Sequence, residues 1–459
     1  MEKKVYDLID SYREEFIRTL QEWVRIPSVR GEAAEKAPFG KEVRRALDRA
    51  LADAKKMGFA VRDFDGYAGD VTLECGRPCE AKDMLGVLGH LDVVPVGDGW
   101  KKPPFGAEIE DGKIYGRGTN DDKGPSLAAL FAMRAIREAG IPLKKSIRLI
   151  LGCDEECDWG CVEWYAAHAE MPEVGFSPDA SFPLINTEKG MIHFALRFPE
   201  EKEGLRVLEM KTGERPNVIA GESRALLEGG QELADRVAAY AGETGLDFRA
   251  EVCDRGVWVT ATGISGHSAY PEGRRSAIGM MLKLLKHLGA GGGIATLADA
   301  VGMEHNGKSL GCACEDAVSG PLTNNVGILR LENGEWYATM DFRCPVGADQ
   351  DRLIREAGAH LPGIRMEIVT RKAPHHVPAD SELVTELLAA YEEESGLKGE
   401  ALSTGGGTYA KVLRQGVAFG ALFPDEEELA HLANEYESID SLMKSMRIYA
   451  NAMIRLAAE

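Results

Sequence analysis

Two apolar runs in the first half of the chain constrain its fold more than any other feature. Residues 84–96 (MLGVLGHLDVVPV) and 146–153 (SIRLILGC) are almost continuously apolar. Runs of this kind suit strands buried on both faces, as when helices cover both sides of a parallel sheet. Between them, residues 123–139 have helical periodicity and open after a polar loop, with Pro125 tolerated in the first turn. Strand, helix and strand in this order predict a parallel α/β sheet with right-handed crossovers.

From about Met191 the pattern changes. Residues 257–264 (VWVTATGI) and 336–342 (WYATMDF) alternate, and the second run follows residues 327–331 and an Asn333-Gly334 turn, a strong hairpin signal. Helical stretches near 229–242 and 274–289 lie between such strands, which reads as an α+β region with helices on one face. After about Asp380 the helix–strand pattern returns, with a helix at 382–395, a strand at 417–423 and a last helix near 440–457; a further helix is expected over 4–24. The simplest organisation is an insertion. Residues 1–186 and 381–459 form one α/β domain, and 187–380 form a second, α+β domain within it. A chain of 459 residues agrees with two domains, since it exceeds what one core usually supports.

The formal net charge of −20 argues against nucleic acid and anionic membranes as partners, because their phosphates would be repelled. The charged, amphipathic N-terminal stretch has no apolar core of a signal peptide, and no run approaches the roughly 18 apolar residues of a membrane span. A cytoplasmic protein is expected. Nine scattered cysteines lack the paired hooks of a structural zinc site, so they are read as reduced thiols; Cys153, Cys157 and Cys161 are expected to pack around the neighbouring acidic pair.

The chemistry-bearing residues fall at strand ends and just beyond, where open α/β sheets build their sites. His90 and Asp92 form an H-x-D, Asp121-Asp122 lie in GRGTNDDKGP, Glu155-Glu156 follow the next strand, Asp179 lies in GFSPDASFP, and His431 opens HLANEYE. Singly, each is an ordinary cap, turn or surface residue. Together they would place several acids in one cleft, where they need cations to stay ionised. Two imidazoles and three carboxylates suit zinc, and one bridging carboxylate would hold two ions about 3.5–4 Å apart. Manganese or cobalt would also be accepted by such donors.

The motifs GHLDVVP, YGRGTNDDKGP, DEE, GFSPDA and GGGTYA, with IPSV near the start and HLANEYE near the end, resemble the aminoacylase/carboxypeptidase-G/dipeptidase-V superfamily of co-catalytic zinc peptidases over essentially the whole chain. The dipeptidase V-like branch is the most similar. The resemblance implies a zinc-peptidase catalytic domain with an enlarged inserted lid. It implies that His90 and Asp179 bind one metal, His431 and Glu156 the other, and that Asp121 bridges them, with a cis peptide after Asp121. Asp92 would orient the His90 ring through its carboxylate, and Glu155 would be the general base. Glu155 and Glu156 are neighbours, so a local bend must bring both into the site. In the inserted domain, His267 would stabilise the oxyanion, Asn217 would bind the oxyanion or the substrate backbone, and Arg343 would contact the substrate carboxylate. Gly406, in STGGGTYAK, would bind that carboxylate through main-chain N–H groups. The expected activity is hydrolysis of dipeptides with a free N-terminus by a chain working as a monomer, with a homodimer as the alternative. An N-acyl-amino-acid or succinyl-diaminopimelate deacylase with the same metals, and a catalytically silent metal- or peptide-binding protein, are the competing readings.

Overall fold

The two apolar runs become the strands Met84–His90 and Ser146–Gly152 in the computed structural model, which describes residues 2–201 and 203–459. They pair in parallel, Met84 opposite Ser146 through His90 opposite Gly152, and every residue of both is buried. Val174–Ser177 and Gln415–Ala418 extend this parallel core on one side. Antiparallel strands flank it: Ala68–Leu73 and Ala60–Phe64 on one side, Leu184–Glu188 on the other. The sheet is therefore mixed, parallel at its centre. The 84–96 run stops being strand at His90, because the next residues leave the sheet and turn the Asp92 main chain back toward the His90 ring.

The helices Lys123–Ala139 and Ile439–Ala457 pack together against this sheet. Lys123–Ala139 is buried along most of its length, as its Leu, Ala, Phe and Met content requires. Lys41–Lys56 covers the strands Ala60–Phe64 and Ala68–Leu73 with Val43, Ala46, Leu47, Ala50 and Leu51. Two glycines allow close approach at the strand ends. A Cβ on Gly89 would lie 1.9 Å from Ser126 Oγ, and one on Gly152 would lie 2.5 Å from the Tyr409 ring.

The chain divides into two compact units. The first comprises Met1–Thr187, His376–Leu402 and Gly407–Glu459; the second comprises Glu188–His375 and Ser403–Gly406. The segment Ser403–Gly406 thus groups with the second unit, whereas the sequence reading kept everything after 380 with the first. Its main chain is held there: Lys189 N–H donates to Thr404 O and Arg343 to Gly405 O.

The second unit is built on an eight-stranded, wholly antiparallel sheet. Its longest hairpin joins Thr323–Glu332 to Glu335–Cys344 through Asn333 and Gly334, at φ 53° and 77°. Those positive angles match the turn that follows the right-handed twist of a hairpin, which is why Asn-Gly occupies it. Helices Gln231–Thr244, Ala277–His287, Gly292–Ala300 and Gln350–Ala359 complete the unit. Ser276 caps the second by accepting from Gly279 N–H at 3.1 Å, and Asp349 caps the last by accepting from Asp351 and Arg352 N–H. Among the described residues, no helix is long and apolar enough to cross a membrane.

Candidate metal centre

Parallel pairing puts the C-terminal ends of Met84–His90, Ser146–Gly152 and Val174–Ser177 at one rim of the sheet; the first ends in His90, and Glu155-Glu156 and Asp179 follow the other two within a few residues. His90 Nε2 lies 2.9 Å from Asp121 Oδ1 and 3.6 Å from Asp179 Oδ2. His431 Nε2 lies 3.1 Å from Asp121 Oδ2 and 3.0 Å from Glu156 Oε2. Asp121 thus turns one oxygen to each imidazole. The donor atoms of His90, Asp121 and Glu156 lie within 4.8 Å of one another, as do those of His90, Glu155 and Asp179. All the first-unit residues singled out in the sequence therefore meet at one rim.

The local backbone has identifiable causes. The Asp121-Asp122 peptide is cis. Asp122 Oδ2 accepts from His90 N–H at 3.0 Å and from Ser126 Oγ at 2.8 Å, which ties the Asp-Asp loop to the strand end and to the first turn of the following helix. Asp92 acts differently from expectation. The ring Nδ1 of His90 meets the Asp92 main-chain carbonyl at 2.9 Å, while the Asp92 carboxylate is 3.6 Å away. That carboxylate accepts from the N–H groups of Glu155 and Glu156, both at 3.1 Å. Two successive amides converging on one carboxylate produce the bend at Glu155-Glu156.

The sequence reading missed Glu435. It is fully buried, pairs with Arg117 at 2.5 Å, and accepts from Gly118 N–H at 2.9 Å and Asn120 N–H at 3.1 Å. It therefore fastens the loop carrying His431 to the loop carrying Asp121. Asn434 fixes the same segment, accepting from Lys101 N–H at 2.7 Å and donating to Gly99 O at 3.2 Å. Their only sequence signal is membership of HLANEYE.

The electrostatics call for cations. Burial, then the charge of Asp121, pushes the Asp179 carboxyl up to about 7. Burial and Asp179 push Glu155 well above the carboxylate range, and burial with Asp121 raises Glu156. Burial opposes a charged Asp121, yet contacts with His431 and His90 hold it well below the usual range. His431 rises to about 11: burial works against this, and Asp121 and Glu156 outweigh it. In a neutral ring, donation from His90 Nδ1 to the Asp92 carbonyl leaves Nε2 as a bare lone pair facing Asp121 Oδ1. Both atoms are buried without a hydrogen-bond partner. Two acceptors at this distance need a proton or a metal ion between them. The borderline nitrogen and oxygen donors fit a divalent ion such as zinc.

The second unit carries its own polar cluster. Asp341, fully buried on Glu335–Cys344, lies 3.0 Å from Arg343 Nε, 2.9 Å from His193 Nε2, and is hydrogen-bonded by Ser268. Arg343 also donates to Gly405 O at 2.8 Å. His267 Nδ1 accepts from Ala269 N–H at 3.1 Å, which leaves the proton of a neutral ring on Nε2; the side-chain amide of Asn217 lies 3.3 Å from Nε2 and accepts that proton's hydrogen bond when its oxygen is turned to the ring. Asn217, His267 and Arg343 therefore belong to one neighbourhood, into which the Gly405-Gly406 segment is drawn.

The model of peptidase family M20/M25/M40 matches residues 86–455. YtjP of Bacillus subtilis (strain 168), provisionally named a dipeptidase, is 39% identical over 458 residues, covering 97% of this chain and 98% of that protein. The Beta-Ala-Xaa dipeptidase of Lactobacillus delbrueckii subsp. lactis is 34% identical over 473 residues, covering 100% and 99%. Human carnosine dipeptidase 1 matches in structure with a TM-score of 0.63 at 16% identity, covering 99% of this chain and 98% of that one, a likeness of fold alone.

Proposed function

The chain belongs to peptidase family M20/M25/M40, and from that premise we propose that it is a metal-dependent dipeptidase acting on dipeptides with a free N-terminus. The observation that carries this reading is Asp121, with one oxygen toward His90, the other toward His431, and Glu155 within the same group of acids. Relatives named as dipeptidases along the whole chain length support the substrate class.

In this reading His90 and Asp179 hold one divalent ion, His431 and Glu156 a second, and Asp121 serves both. Zinc is the proposed metal, with manganese or cobalt as substitutes. When bound, such ions supply Lewis acidity and let a water molecule ionise near neutral pH. Glu155 takes the proton of the attacking water at its carboxylate and returns it to the departing amine nitrogen. The amides of Glu155 and Glu156 are fixed on Asp92, so the base is positioned by a carboxylate that itself stays out of the reaction. His267 donates its Nε2–H to the carbonyl oxygen as that oxygen gains charge, with Asn217 beside it. Arg343 receives the substrate carboxylate, for which a planar guanidinium is well shaped, and the Gly406 N–H, which donates to Thr404 Oγ1 at 3.0 Å, would join it by turning from that hydroxyl. The chain is proposed to work as a monomer.

The test is an assay of purified protein on unblocked dipeptides and on N-acetyl and N-succinyl amino acids. Each is measured before chelation, after it, and after return of Zn²⁺ or Mn²⁺, with Glu155→Ala in parallel. Free-dipeptide hydrolysis that is lost on chelation, restored by metal and absent in Glu155→Ala is expected. Hydrolysis of acylated substrates alone would move the function to a deacylase, and metal binding with no hydrolysis would leave a binding protein. Mixing inactive Glu155→Ala and His267→Ala chains should restore nothing; recovered activity would overturn the monomer proposal.

A further inference from the structure

Away from the metal centre, at the opposite ends of the same strands, two thiols face each other. Cys75 and Cys79 flank the turn Gly76-Arg77-Pro78, with Sγ atoms 3.1 Å apart. Ser146, the first residue of the strand Ser146–Gly152, serves both: its Oγ lies 3.2 Å from Cys79 Sγ and accepts from Cys75 N–H at 3.1 Å. The Arg77 carbonyl oxygen lies 3.5 Å from Cys79 Sγ and 3.8 Å from Cys75 Sγ. Both cysteines are half-buried, and Cys79, Arg77 and Ser146 line an open surface cavity of about 320 Å³ through which a small reagent can approach. Gly76 sits at φ 80° with nothing within 4 Å of where a Cβ would be, so the turn has room to tighten.

A disulfide needs the sulfurs at about 2.05 Å, an approach of roughly 1 Å from their present separation. We propose that Cys75 and Cys79 form a reversible dithiol–disulfide site that is oxidised by peroxides. Burial disfavours the Cys75 thiolate, but contacts with Ser146, Cys79 and Arg77 outweigh it and lower its pKa, so Cys75 is the attacking sulfur. Its thiolate attacks one peroxide oxygen. An S–O bond forms, the O–O bond breaks, and hydroxide leaves to be protonated. The Cys79 sulfur then loses its proton, attacks Cys75 and expels the sulfur-bound oxygen as water. Two thiols lose two electrons and two protons, and one hydrogen peroxide becomes two waters. A dithiol reductant reverses the bond by exchange.

The bridge closes only the short turn between Cys75 and Cys79, so it contributes little chain entropy as a staple. Strands of seven residues separate the pair from the candidate metal centre by about 20 Å. The site is therefore a redox mark on the surface, separate from the peptidase chemistry.

The experiment exposes reduced, metal-loaded protein to hydrogen peroxide, blocks free thiols with iodoacetamide and maps the peptides by mass. Arg77 precedes Pro78, so trypsin leaves both cysteines on one peptide. That peptide should lose the mass of two hydrogen atoms, resist alkylation, and take two alkyl groups after dithiothreitol. The exposed Cys157 and Cys253 report general oxidation in the same digest. Cys75→Ser should abolish the mass loss and leave peptidase activity at the parent value. Separate oxidation of the two sulfurs, bonding to another chain, or full alkylation of both while Cys157 is oxidised would each overturn the proposal, and the parent protein alone gives these readouts.

Discussion

The two units each bury a cluster of Asp, His and partner residues, and the clusters differ in charge balance. In the second unit, one carboxylate, Asp341, meets Arg343, His193 and Ser268. Burial works against its charge, yet Arg343 and His193 hold it down at about 2. In the first unit, among the described residues, Asp121, Glu155, Glu156 and Asp179 are grouped with two imidazoles, His90 and His431, and burial with Asp121 pushes Asp179 up to about 7. Similar residue types thus give a cluster whose carboxylate is matched by cationic partners in one place and, in the other, an excess of carboxylates that bound cations would balance. Counting charges inside each cluster, rather than counting histidines, singles out the first-unit cluster as the candidate metal centre.

The largest effect that would sharpen this contrast is on turnover. Glu155→Gln should lower kcat by about 10²–10⁴-fold, the usual worth of a general base, with metal content unchanged. His431→Ala should instead lower metal content in parallel with activity. Equal metal loss in both variants would make Glu155 a ligand and break the division of roles.

A second effect appears only in the metal-free protein. The raised Asp179 and His431 values mean that the folded state binds more protons than the unfolded one, from about pH 4 to 7 for Asp179 and from about 6.5 to 11 for His431. In both windows stability falls as pH rises. Chelated protein should therefore lose amide protection, corrected for intrinsic rates, in the strand Met84–His90 as pH rises from 5 to 9. Metal-loaded protein should stay level. Metal uptake near pH 7 should release protons, measurable by calorimetry in buffers of different ionisation enthalpy. A chelated protein as stable at pH 9 as at pH 5 would contradict the charge imbalance.

Arg343→Lys tests the other cluster. Lysine cannot reproduce donation to both Asp341 and Gly405 O. A fall in kcat/KM of about 10–100-fold, carried mainly by KM and with metal content intact, is expected from losing a charge-assisted fork. An unchanged KM would remove Arg343 from substrate binding.

What the sequence disclosed follows the same logic. His90, Asp121, Glu156 and Asp179 stand where apolar strands or their following loops turn polar, a position a buried core does not tolerate without a reason. The Asn333-Gly334 hairpin was legible because only a few residues accept its angles. The supports were hidden because they are long-range. The Asp92 carboxylate reaches amides 63 and 64 residues away, and Glu435 reaches Gly118 across 317 residues. No local periodicity records such pairings. Ser403–Gly406 likewise reads as a loop of the last segment, and only its contacts with Lys189 and Arg343 group it with the second unit. The extent of strand Met84–His90 was over-read for a related reason: Leu91, Val93 and Val94 are buried like strand residues after the chain has left the sheet.

The smallest effect is the most direct contrast of sign. The folded value of Asp341, about 2, lies below its ordinary value of about 3.9, so its stabilisation is present above pH 4 and is lost as pH falls through 2. This is the reverse of Asp179 and His431 in the metal-free first unit, for which rising pH destabilises. The expected contribution is on the order of 2 kcal/mol. Hydrogen exchange of the strand Glu335–Cys344, corrected for intrinsic rates, should show protection falling between pH 4 and pH 2 in the parent chain. Asp341→Asn should start lower near pH 6, because Arg343 loses its counter-charge, and then change little on acidification. If the variant kept the parent's acid slope, another carboxylate would be responsible for it. Asp341 would then no longer be what sets the second cluster apart from the first.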